Sequence, residues 1–248
     1  MSTQHKPESL DLEFLKTASN KRFAIVYSEW NSEIIDRLVK GAFNFFREIG
    51  ISDEKIELSN PYSIIKVKLG TPNDDKEIIS QIRQRTDKLI RVDANEGWSL
   101  DNAKEMSFWL ADRNVEFIEQ PFKAKMLNET RSLKEFSPLP LFADENSLVS
   151  SDIPKIVDCF DGINIKLMKC GGLDEALKMI EIAKHFDMQI MLGCMVESSV
   201  GITAAAQLAS EAVAVDLDGN LLIDNDPYKG VEVIEGRLHF FCQIQLLY

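Results

Sequence analysis

The sequence predicts an α/β fold of the TIM type, a closed parallel barrel built from eight βα units, and three observations predict it. Short apolar runs, each ending in a charged residue, recur along the chain. Their tips Lys68, Asp93, Glu119, Asp144 and Lys166 follow one another at steps of 25, 26, 25 and 22 residues. A double step of 52 residues then leads to Asp218, with Gly193-Cys194 near its middle. A period in the mid-twenties accommodates one strand and one helix, the crossover that parallel strands require. Finally, 248 residues, 45% of them hydrophobic, suit one large domain, and about 250 residues is typical of such barrels.

Taken in order, residues 1–20 are polar and predict a disordered tail. Residues 21–60 predict one βα unit: a strand over 23–28, then a helix with Ile34, Ile35, Leu38, Val39, Ala42, Phe45 and Phe46 at spacings of three and four, ending near Gly50. The barrel proper is expected over 61–220. Its strands are placed near 63–68, 89–93, 115–119, 140–144, 162–166, 188–193 and 213–217, which with 23–28 makes eight.

Between these strands, Thr71-Pro72 is expected to start a helix with proline at its first position, and Ile78, Ile79 and Ile82 form its inward stripe. Ser99 is expected to cap the next, with Ala103, Met106 and Leu110 inward. Short helices follow near 130–136 and 152–160, then longer ones over 173–186 and 201–209. Residues 221–248 read as a C-terminal extension.

Composition limits the partners. A net charge of −12 and a pI of about 4.8 oppose binding to nucleic acid or an anionic membrane, which need clustered Lys and Arg. Cys159, Cys170, Cys194 and Cys242 form no CxxC pair, which points to a reducing cytoplasm. No apolar run reaches the length of about 18 residues that a membrane-spanning helix needs.

In a barrel, chemistry collects at the C-terminal ends of the strands. Asp93, Glu119 and Asp144 end three successive strands and converge there. Three carboxylates with no His or Cys beside them suit a hard divalent cation, Mg²⁺ before Ca²⁺, and disfavour zinc. Taken singly, any one of them could instead cap a helix or meet a lysine. Lys66 and Lys68, two apart on one strand, face the same side, and Lys166 approaches from the opposite wall. Like charge and desolvation are expected to depress a lysine pKa there and make it a usable base. The histidines His5, His185 and His239 lie at no strand tip.

Two resemblances sharpen this reading. Residues 22–59, with a strand followed by Ser28-Glu29-Trp30-Asn31, resemble the N-terminal segment of lumazine synthase, and the match stops near Asn60. From about Ile64 to Gly230 the chain resembles the enolase superfamily, muconate-lactonising subgroup. The matching motifs are Lys66-x-Lys68, Asp93-Ala94-Asn95, Glu119-Gln120-Pro121, Ala143-Asp144-Glu145 and Asn164 to Gly172. Gly193-Cys194-Met195 and Asp216-x-Asp218 are similar to dipeptide epimerases of the L-Ala-D/L-Glu type.

The resemblance implies Mg²⁺ on Asp93, Glu119 and Asp144, Lys68 and Lys166 as an opposed acid/base pair, and Lys66 assisting Lys68 and touching the substrate carboxylate. It implies Asp216 and Asp218 on the dipeptide's ammonium, and Cys194 on substrate through its backbone. The implied activity is isomerisation of a small dipeptide, in a protein compatible with a homo-oligomer.

Against that resemblance, Asn146 stands where a serine is usual and the ending after Gly236-Arg237-Leu238 is atypical, and the chain is expected to lack the N-terminal capping domain, residues 21–60 standing in its place. They leave other readings open. One is a fusion, misassembled reading frame or chimera that binds Mg²⁺ with little or no turnover, and another is a structural subunit recruited through residues 22–59.

Overall fold

The chain divides into two units, Met1–Tyr62 and Ser63–Tyr248. The computed structural model describes residues 63–71, 74–234 and 237–240, all in the second unit. The expected tail, the 23–28 strand and the lumazine-synthase-like segment lie outside the described residues, as do Pro72 and the chain after Phe240.

Seven strands, β1 (Ile64–Lys68), β2 (Leu89–Asp93), β3 (Val115–Glu119), β4 (Leu141–Ala143), β5 (Gly162–Ile165), β6 (Gln189–Leu192) and β7 (Ala214–Val215), form one sheet in sequential order. Every neighbouring pair is parallel. The sheet curls far enough that its two edges communicate: Lys66 on β1 donates to Asp216, just past β7, at 2.9 Å. Arg91 on β2 also reaches the Val215 carbonyl at 3.4 Å. This is the barrel-like architecture expected, seen in seven of its eight predicted strands among the described residues.

The crossovers explain the curl. Helices α1 (Asp75–Arg83), α2 (Leu100–Ala111), α3 (Leu127–Lys134), α4 (Leu167–Cys170), α5 (Leu173–His185) and α6 (Ser199–Ala206) connect the strands. Their buried residues include Ile79, Ala103, Met106, Leu110, Leu133, Met179, Ile180 and Ile202. These join the outward-facing strand residues Ile90, Val92, Ile118, Ile163, Ile165 and Ile190 in one core. A separate buried cluster of Phe117, Phe142, Met191 and Ala214 fills the inside of the sheet. Because strand side chains alternate, each of these four stands two residues before a site position: Glu119, Asp144, Gly193 and Asp216. The inner cluster is the floor on which the site rests.

Some boundaries differ from expectation, for identifiable reasons. Thr71 does not cap the first helix, which begins at Asp75. The Asp75 carboxylate accepts from Gly70 N at 3.1 Å, Thr71 N at 3.0 Å and Thr71 Oγ1 at 2.9 Å, holding Thr71 in the turn ahead of the helix. Ser99 does cap α2, accepting from Asn102 N. The expected 152–160 helix is a 3-10 turn over Ser150–Lys155 containing Pro154, which has no N–H to carry an α-helix on. Helix α6 begins two residues early because Asp226, far along the chain, accepts from Ser199 N at 2.6 Å. After β7, a 3-10 turn (Gly219–Leu222) precedes the antiparallel hairpin β8 (Glu232–Ile234) and β9 (Arg237–His239).

Candidate functional site

The site is built from strand ends. Register pairs Lys68 with Asp93 and Asp93 with Glu119, so the tips of β1, β2 and β3 stand level. Asp144 follows β4 directly, and Lys166 follows β5 directly. The structure brings the three expected carboxylates together: Asp93, Glu119 and Asp144 are buried, and one oxygen from each lies within 4.8 Å of the others. At that separation, two like charges repel by about 3 kcal/mol even at an effective dielectric near 20. Such a cluster needs cationic charge.

Lysines surround it. Lys68 Nζ donates to Asp93 Oδ2 at 2.6 Å. Lys66 Nζ lies 2.7 Å from Glu119 Oε2 and 3.9 Å from Asp93 Oδ2, besides its bond to Asp216. Lys166 Nζ donates to Asp144 Oδ2 at 2.7 Å, and Lys169 Nζ donates to Asp144 Oδ1 at 2.6 Å. Lys68 therefore meets one outer carboxylate of the trio and Lys166 meets the other, with Glu119 between them.

These contacts set the ionisation. Burial pulls Lys66 down, but Glu119, Asp216 and Asp93 outweigh it and hold the ammonium well above the usual lysine range. Burial also pulls Lys166 down, and Asp144 reverses that, so it too is raised. For both of these lysines the nearest charges are carboxylates. Burial pushes Glu119 up, opposed by Lys66 and assisted by Asp93 and Asp144. Asp144 is pushed up by burial, yet Lys166 and Lys169 hold it below the usual carboxylate range.

The donors fit a divalent cation. Glu119 Oε2 is buried, with the Lys66 ammonium 2.7 Å away as its ion-pair partner. Three oxygens at this spacing can be gathered on one hard ion of the Mg²⁺ or Ca²⁺ class by small side-chain rotations. Among the described residues this is the one cluster of metal-ligating side chains of that kind.

The remaining expected residues lie along the same rim. The Asp216 carboxylate is partly engaged by Lys66; burial pushes its pKa up, but Lys66, with Lys68 and Lys166, outweighs burial and leaves it below the usual range. Asp218 stands at the start of the 3-10 turn, where desolvation by the surrounding protein and the charge of Asp216 push it up. The Cys194 thiol is pushed up to about 11 by burial and Asp216. It sits so close that a Cβ on Gly219 would lie 3.1 Å from its sulfur.

Three participants escaped the sequence reading. Asn164, fully buried, donates from Nδ2 to Glu119 Oε1 at 2.7 Å. It lies two residues before Lys166, hence on the same face, a signal that was available. Lys169 lies one helical turn after Lys166, and that spacing also places both on one side. Gln120 left no such signal, because its role depends on a left-handed backbone at φ 38°. Of the described histidines, His185 and His239 lie on α5 and β9, away from the strand tips.

Known proteins carry similar chains. The L-Ala-D/L-Glu epimerase of Bacteroides thetaiotaomicron is 46% identical over 183 residues, covering 73% of this chain and 48% of that protein. An L-Ala-D/L-amino acid epimerase of Pedosphaera parvula is 41% identical over 191 residues, covering 75% of this chain and 55% of that protein. The chain thus spans about half the length of the curated relatives it matches. A crystal structure of a dipeptide epimerase from Cytophaga hutchinsonii, complexed with Mg and the dipeptide D-Ala-L-Val, superposes with a TM-score of 0.70 at 25% identity. It covers 92% of this chain and 61% of that one. Residues 53–238 match the family described as enolase C-terminal domain-like, and the lumazine-synthase-like reading of residues 22–59 gains no support from that match. With this match covering most of the chain and the carboxylate trio at the tips of successive parallel strands, the protein belongs to the enolase C-terminal domain-like family.

Proposed function

We propose that this chain carries the chemistry of a dipeptide epimerase: removal of the proton α to a carboxylate by one lysine and its replacement from the other face by a second. The observation that carries the reading is the approach of Lys68 and Lys166 to the two outer members of the carboxylate trio. In this reading Asp93, Glu119 and Asp144 hold Mg²⁺. The ion would supply positive charge to the substrate carboxylate as the α-proton leaves.

Lys68 and Lys166 then act as an opposed pair. The neutral amine of one takes the α-proton, and the C–H electron pair moves into the carboxylate to give an enediolate. The ammonium of the other delivers a proton to the opposite face of the same carbon, so the configuration inverts. The two lysines end with exchanged protonation and are reset by solvent. Asp144, which outweighs the opposing effect of burial, favours Lys166 as the ammonium partner at the outset. Lys66, clamped between Glu119 and Asp216, is well placed to meet the substrate carboxylate. Asp216 and Asp218 would receive the dipeptide's α-ammonium group, and the backbone at Cys194 would line the same pocket.

The relatives named as epimerases and the Mg-bound, dipeptide-bound structure support this reading without assigning a substrate to this chain. The test is direct. The protein is incubated with Mg²⁺ and L-Ala-L-Glu or a panel of hydrophobic dipeptides, and the diastereomers are separated by chromatography. The expected result is conversion of L,L to the L,D form, stopped by EDTA. Tight Mg²⁺ binding with no conversion of any dipeptide would instead mark a metal-binding remnant.

A further inference from the structure

We propose that Gln120 is the positioning residue that sets the spacing of the three carboxylates, and that Asn146 is its working partner in this chain. The inference rests on reading the trio as a cation site. Gln120 touches neither reacting groups nor the trio's inner oxygens, so its role is exerted through the backbone around them.

The first indication is conformational. Gln120 follows Glu119 directly and holds φ 38°, the left-handed region. A side chain there costs of order 1 kcal/mol, a strain glycine would avoid. A glutamine kept in that conformation must recover the cost through its side chain.

That side chain is buried and fully used. Its Oε1 accepts from Asp144 N at 2.9 Å and, more weakly, from Asn146 N at 3.4 Å. Its Nε2 donates to the Phe122 carbonyl at 2.8 Å and to Asn146 Oδ1 at 2.7 Å. The backbone of Gln120 extends the tie: its N–H donates to the Phe142 carbonyl at 2.9 Å, and its carbonyl accepts from Glu96 N at 2.9 Å. One residue therefore bonds to the turn that follows Asp93 and to the backbone N–H of Asp144, and is covalently joined to Glu119. The separations of all three carboxylates pass through it.

The pattern of bonds also fixes the amide orientation, since backbone N–H groups demand an oxygen and the Phe122 carbonyl demands a donor. Both halves of the amide are needed. A glutamate would lose the donor bonds and add a fourth negative charge beside three others. Asn146 completes the strut, accepting from Gln120 and donating from Nδ2 to the Ala124 carbonyl at 2.8 Å. The asparagine that departs from the expected serine thus has a physical use: it reaches both the Gln120 amide and the loop after Pro121.

Isothermal titration of Mg²⁺ alone into wild type, Gln120→Gly, Asn146→Ala and the double variant tests this, with circular dichroism and thermal melts alongside. Removing partners that orient metal ligands typically weakens binding about 10–100-fold. Wild type should bind, and Gln120→Gly, checked to be folded by circular dichroism, should bind at least about tenfold more weakly. Asn146→Ala should fall between them, and the double variant should be no worse than Gln120→Gly, as expected for residues acting as one unit. Unchanged Mg²⁺ affinity in Gln120→Gly would overturn the inference and leave Gln120 a turn residue only. Should that variant not fold, unchanged affinity in Asn146→Ala overturns it equally. Wild-type protein that binds no Mg²⁺ would refute the cation site itself, a failure distinguishable from either.

Discussion

At the scale of single residues, Glu119 has the most opposed demands placed on it. It is fully buried between two aspartates, accepts from Asn164, and meets the Lys66 ammonium with its other oxygen. Removing its charge should remove the reason for a cation to bind. Glu119→Gln is expected to abolish detectable Mg²⁺ binding by calorimetry while keeping the fold; retained tight binding would contradict the metal assignment. The lysines were legible from the sequence as a set but not in their ionisation. Spacing alone places Lys66 beside Lys68, yet only the fold shows that carboxylates surround Lys66 more closely than another ammonium does. Cys194 offers a simple check of the local field. With its thiol pushed up to about 11, it should react slowly with iodoacetamide near neutral pH, and the rate should keep rising into strongly alkaline solution; fast alkylation at neutral pH would show that the negative surroundings are misplaced.

At the scale of elements, the ends of the strands depend on close approaches that a sequence cannot display. The turn after β6 passes so near β5 that a Cβ on Gly193 would lie 2.5 Å from Asn164 Oδ1 and 3.0 Å from Lys166 Cε. Gly193→Ala should therefore displace Asn164 and Lys166 together, costing catalysis far more than stability, as kinetics and melting of the same preparation would show. Helix α6 is tied down from a distance by Asp226, whose carboxylate is held below its usual range by the backbone N–H of Ser199. A carboxyl lowered on folding stabilises the protein above its ordinary pKa, and that contribution is lost as pH falls through the lowered value. Asp226→Asn should thus flatten the acid side of the melting-temperature profile, with little change in its slope near neutrality. The inward stripe of α1 was readable at spacings of three and four, and Ile79 is fully buried as expected. The start of α1 was not readable, because Asp75 captures Thr71 from within the helix and overrides the capping pattern of Thr71-Pro72.

At the scale of the whole molecule, the barrel was legible because one signal repeats: an apolar run, a charged tip, then a helix, at a step set by the length of a βα unit. Five charged tips at that step, and a sixth at twice it, told more than any single motif, and each of the seven predicted strands that falls among the described residues is found there. What the sequence hid is how the curled sheet brings distant residues together, such as Lys66 and Asp216, 150 positions apart. The same curl sets Lys68 and Lys166 on either side of the carboxylates, where we propose that they work as two bases on opposite faces of one carbon. The most direct measurement is proton NMR of the substrate α-proton in D₂O with Mg²⁺, started from each diastereomer of Ala-Glu, for wild type, Lys68→Ala and Lys166→Ala. Wild type should exchange and invert both diastereomers. Each variant should lose inversion by at least about a hundredfold, the lower end expected of positioned acid–base groups, and should exchange at most one diastereomer, the opposite one in each variant. A variant lacking either lysine that still interconverts both diastereomers at the wild-type rate would contradict the two-base arrangement.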